Sequence, residues 1–147
     1  MRRFLLFYGP TESLNHFTDE LDCQLRLMGH ETYISDLRSF QQEELMAFCA
    51  KPVDASICYD GYGMFDKEIY DWLNIPVVNI MMVHPMNFAG LMEKPPTRYI
   101  QLMPDEQHVE YVKRYYHIEH AYFAPHMASI SGEKQQDFFF SPDILAI

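Results

Sequence analysis

At 147 residues the chain has room for one domain with one sizeable core, which excludes a second full domain. Its 48% apolar and 15% aromatic content, with 22% charged residues, excludes a disordered chain. The formal net charge of -10 repels nucleic acid and anionic lipid surfaces, so an anionic ligand must rely on backbone N–H groups and a few local cations.

The chain opens with two arginines before an apolar run, Phe4 to Tyr8. That run is shorter than the roughly 7 to 15 residues of a signal-peptide core, and Gly9-Pro10 ends it without a small-residue cleavage site. It reads as a first strand covered on both faces. Leu14, Phe17, Leu21, Leu25 and Met28 then recur at steps of three and four, the stripe of an amphipathic helix that Gly29 stops as a left-handed cap. Glu31 to Asp36 reads as a second strand, Gln42 to Ala50 as a short helix with Leu45 and Phe48 inward, and Val53 to Tyr59 as strand three. Phe65, Ile69, Trp72 and Leu73 give a third helical stripe, and Pro76 to Val83 has the length and β-branched content of a central strand. Beyond His84-Pro85, a helical turn is expected over Met86 to Met92 and strand five at Tyr99 to Leu102. Asp105 caps a helix with Val109, Val112 and Tyr116 inward. Ala121 to Phe123 is a last short strand.

Strands alternating with helices imply parallel pairing through crossovers. The fold expected is therefore an α/β three-layer Rossmann-like sandwich with a mainly parallel central sheet. Residues 1–128 form the domain, and 129–147 a polar linker and, at Phe138 to Phe140, the stub of a following strand. No apolar stretch approaches the roughly 18 residues needed to span a bilayer. Three cysteines, Cys23, Cys49 and Cys58, are odd in number and each sits among apolar neighbours, so buried thiols and a cytoplasmic protein are expected.

In such a sheet ligands bind outside the carboxyl ends of the strands, where strand order reverses. The first such loop holds Gly9, Thr11, Glu12 and Ser13 ahead of a helix, residues that can cradle an anion or a sugar, or can simply cap the helix. It lacks GxGxxG and the Walker lysine, so neither a dinucleotide nor an ATP site is indicated. After strand three, Asp60 and Tyr62 alternate with Gly61 and Gly63. The glycines let backbone approach a ligand and a tyrosine face can stack on a sugar ring, although a turn with Asp60 as its cap has the same composition. After strand four come His84 and Asn87. A histidine there is a candidate base that accepts a proton from a hydroxyl acceptor, or a residue that fixes the loop through backbone. His108, His117, His120 and His126 lack the spacing of a metal set, and none is assigned.

From Val53 to His126 the segments DASICYDGYG, IPVVNIMMVHP, PPTRYIQL, DEQHVEYVKRYY and AYFAPH follow one another in an order that resembles the N-terminal domain of spore-maturation-type (CgeB-like) glycosyltransferases. Many such proteins carry an acid before the His-Pro or Ser-Pro step. Val83 stands there in this chain, leaving His84 as the titratable group. The resemblance implies a GT-B architecture in which the second domain binds the nucleotide sugar and the first holds the acceptor. It makes this chain the acceptor-binding half, inactive alone, with no cofactor of its own. The partners implied are a sugar or peptide acceptor and a C-terminal donor domain, with a homodimer possible through the Phe138 to Phe140 aromatics. The other reading is a non-enzymatic receiver-like or flavodoxin-like binding or signalling module. Asp60 sits where a receiver's phospho-acceptor would, without the acidic pair after strand one or the lysine after strand five.

Overall fold

The structure is a computed structural model, and it describes residues 1–36, 38, 39, 41–64 and 67–125. The expected linker and strand stub at 129–147, with His126, lie outside the described residues.

Six parallel strands form one sheet in the order β2-β1-β3-β4-β5-β6. They are β1 (Arg3–Phe7), β2 (Glu31–Ser35), β3 (Ala55–Tyr59), β4 (Val77–Ile80), β5 (Tyr99–Met103) and β6 (Ala121–Phe123). The crossovers carry α1 (Glu12–Leu27), α2 (Gln42–Cys49), α3 (Lys67–Leu73), a 3-10 turn (Pro85–Phe88) running into α4 (Ala89–Met92), and α5 (Glu106–Tyr116). The α/β, Rossmann-like architecture is as the alternating pattern dictates. Its strand order is the 2-1-3-4-5 doubly wound one, extended by β6, and the chain reverses direction across the sheet between β1 and β3.

Register sorts the side chains into two faces. Leu5, Ser56, Val77 and Tyr99 align in one row, and Cys58, Asn79, Gln101 and Ala121 in the next row of the same face. Phe48 of α2, Tyr70 of α3, Met92 of α4, and Val109 and Val112 of α5 close over this face and make the main core with Leu5, Phe7, Val77 and Met103. On the opposite face, buried Leu14 and Thr18 of α1 pack beside Leu6, and the Thr18 hydroxyl donates to the carbonyl of Phe7 at 3.1 Å. Farther along that face Val78, Ile80, Ile100 and Leu102 remain only half-buried.

Inside the polar part of the core, Asn79 Nδ2 donates to Gln101 Oε1 at 2.9 Å and to the Tyr99 hydroxyl at 3.1 Å. Gln101 in turn donates to the carbonyls of Asn79 and Leu102. Buried amides persist because every one of their bonds is met.

Three expectations are corrected. The inward face of α3 is not the expected one of Ile69 and Trp72, which are 48% and 79% exposed; Tyr70 turns inward instead, its hydroxyl donating to the carbonyl of Gly63. A seven-residue helix is too short for periodicity to define its face, and this anchor sets it. Cys23 is exposed and Cys49 half-buried, so only Cys58 is a buried thiol, its pKa driven up by burial. The fourth strand ends at Ile80 rather than Val83, because the N–H of Met82 is taken by the side chain of Asp60 instead of a neighbouring strand.

Candidate functional site

The strand order makes β1, β3 and β4 adjacent, so the loops after them share one edge of the sheet. The loop after β3 is the most constrained. Asp60, Gly61 and Gly63 adopt φ of 49°, 74° and 102°. A Cβ on Gly63 would lie 2.4 Å from the Phe7 ring, so a side chain is excluded by both backbone and space. The Gly61 N–H is held by Asn79 Oδ1 at 2.8 Å, which makes the buried amide ladder the floor of this loop.

Asp60 is 5% exposed, and its Oδ1 accepts the N–H of Met82 at 2.7 Å. Burial raises its pKa, and the backbone N–H groups of Met82 and Val83 oppose that rise. Its carboxylate therefore ties the end of β3 to the turn that carries His84. Tyr62, half-buried, meets Phe88 edge to face at 6.4 Å.

His84 caps the 3-10 turn: its Nδ1 accepts the N–H of Met86 at 3.2 Å, and its carbonyl accepts that of Asn87 at 3.1 Å. Pro85 beside it is buried, whereas His84, Met86 and Asn87 are exposed. The His84 ring lies 4.5 Å from that of His108, the planes at 77°, and 6.0 Å from Tyr111. His108 Nδ1 is buried without a hydrogen-bond partner. Sequence reasoning considered His108 only as a metal ligand beside His117 and His120. Those two lie past the other end of α5, at the strand-N-terminal edge, and are exposed. What brings His108 to His84 is its position in the first turn of α5, set by the Asp105 cap to Gln107 N–H at 2.7 Å.

The loop after β1 is tightly folded on itself. Leu14 packs on buried Gly9, Thr11 caps the helix by accepting from Leu14 N–H at 3.4 Å, and Thr11 and Ser13 hydroxyls pair at 3.2 Å. Pro10 has no N–H, and Glu12 sits in the first turn. Both features disfavour an anion at the N-terminus of α1.

Around this edge Glu12, Asp36, Glu43, Glu44, Asp105 and Glu106 gather in the loops and first helical turns. Among the described residues there, the Arg38 guanidinium binds Asp36 at 3.0 Å and the Lys67 ammonium donates to the carbonyl of Lys94, whose own side chain is exposed. An apolar depression lined by Ile80, Met82, Leu102, Pro104, Ala124 and Pro125 adjoins it at the ends of β4 to β6. Among the described residues no cluster of three or more His, Cys, Asp or Glu side chains could hold a metal ion, and no helix is long and apolar enough to cross a membrane.

The fold is a doubly wound α/β domain whose strand-C-terminal edge is acidic and carries Tyr62, His84 and Phe88. No family model, curated protein or solved structure matches the chain.

Proposed function

We propose that the chain is the acceptor-binding N-terminal half of a GT-B-like glycosyltransferase, without activity on its own. The observation that carries this reading is the charge of the binding edge. Acids outnumber cations, Arg38 and Lys67 are engaged by the protein, and the helix that follows the switch-point loop begins with Pro10, a used cap and Glu12. Such an edge rejects phosphate and suits an uncharged, hydroxyl-rich ligand that can donate to carboxylates and stack on Tyr62. In a two-domain enzyme the nucleotide sugar would sit in the other half.

One observation favours the second reading, a flavodoxin-like or receiver-like binding module: the strand order is the one those folds use. Against a receiver stands the engagement of Asp60 with Met82 and Val83.

The test is a thermal-shift titration of the chain with triacetylchitotriose and maltotriose, with UDP-glucose and flavin mononucleotide as anionic competitors, and with beryllofluoride. A ligand that binds only the folded state at a hundred times its Kd stabilises by about 2.7 kcal/mol. Oligosaccharides are expected to raise the midpoint and the anions to leave it unchanged. A rise with flavin mononucleotide or beryllofluoride alone replaces the acceptor reading with the second one.

A further inference from the structure

The hydrogen bond at His84 decides which nitrogen carries its proton. The backbone amide of Met86 can only donate, so the Nδ1 that receives it at 3.2 Å presents its lone pair. A neutral imidazole has one N–H, and it is then on Nε2. No described residue bonds Nε2, and the side chain is exposed at the mouth of β4.

We propose that His84, braced by His108, is a hydrogen-bond donor to a ligand oxygen through Nε2–H, and not a base. A base at Nε2 needs a lone pair there, which this tautomer lacks; the proton acceptor expected from sequence gives way to a donor. The same bond sets His84 apart from a histidine that ligates a metal through Nε2, which donates its Nδ1–H to a neighbour, the reverse of what is seen. His108 is the positioning residue. Its ring stands edge to face against His84 at 4.5 Å, and its buried, unpartnered Nδ1 is the kind of incomplete polar group that structures keep at working sites. The ligand class, a glycan hydroxyl or ring oxygen, rests on the acceptor reading; the tautomer does not.

Two measurements test this separately. Long-range ¹H–¹⁵N correlation spectra of the labelled chain, recorded at mildly alkaline pH, are expected to show a protonated Nε2 and a lone-pair Nδ1 for His84. The opposite pattern, or exchange between the two, overturns the assignment. For binding of triacetylchitotriose, His84→Ala is expected to lose about tenfold while His84→Gln, whose amide N–H can stand in for Nε2–H, stays near wild type. His108→Ala is expected to weaken binding with the His84 tautomer unchanged, and His108→Phe to restore it. Equal binding by wild type and His84→Ala overturns the donor role. If the wild type binds no oligosaccharide yet shows the expected tautomer, the acceptor reading and the donor role toward a glycan both fail, and the tautomer assignment alone stands.

Discussion

Asp60 reaches across from the end of β3 to accept the backbone N–H of Met82 at 2.7 Å, two residues before His84. It does so from a left-handed backbone, φ 49°, that aspartate and asparagine tolerate better than other side chains. Asp60→Ala strands a buried amide and is expected to cost about 1–3 kcal/mol, whereas Asp60→Asn keeps an acceptor and costs less. The pH dependence separates charge from shape. Burial raises the folded-state pKa above the unfolded value, so between the two the folded chain binds more protons than the unfolded one. The stability of wild type relative to Asp60→Asn should therefore be greatest below the ordinary carboxylate value and fall as pH rises through the raised one. Urea melts at a series of pH values check this; a difference that grows with pH would contradict it.

Gly63→Ala meets two obstacles at once, a φ of 102° and the Phe7 ring at 2.4 Å from the new Cβ. A cost of about 2–4 kcal/mol is expected. Adding Phe7→Leu should return the steric part and leave the backbone part, so the double variant stays less stable than Phe7→Leu alone. Full recovery would mean that the backbone carries no strain.

Much of the fold was legible in the residues because most strands are short apolar-rich runs and α1 and α5 carry apolar stripes, although Met28 at the end of the α1 stripe is exposed. Gly29, at φ 81°, ends α1 as expected, and Asp105 caps α5. What periodicity could not give was the inward face of seven-residue α3, where one hydroxyl bond from Tyr70 decides. Nor could it tell which apolar positions of the sheet lie under helices. At the site, the loops of Gly9, Asp60 and His84 were locatable because ligand loops follow strand ends. His108 was not, since its proximity to His84 comes from α5 packing back over the sheet. The side chains that hold the site, Asn79 and Gln101, sit inside strands and read there as interruptions of an apolar run.

Asn79 joins the two: Oδ1 holds the Gly61 N–H while Nδ2 serves Gln101 and Tyr99. Asn79→Leu fits the volume but orphans the Gly61 donor, at about 1–3 kcal/mol, while Gln101 Oε1 keeps the Tyr99 hydroxyl as its donor. A fall in Tm of about 6 °C is expected at a few degrees per kcal/mol for this length. Amide exchange at Gly61 should accelerate more than at strand residues such as Leu6, which marks the loop as the part released.

The two faces of the sheet should answer differently to the same kind of truncation. Met103 is fully buried beneath α5, so Met103→Ala removes packing on all sides and is expected to cost about 3 kcal/mol. Ile100, three residues before it in β5, points to the opposite face, where it and Val78, Ile80 and Leu102 are only half-buried. Ile100→Ala removes less contact and leaves a dent that water can enter rather than a sealed cavity, so about 1–1.5 kcal/mol is expected. Paired denaturation curves of the two variants measure the ratio. Equal costs would show that the second face is covered as completely as the first.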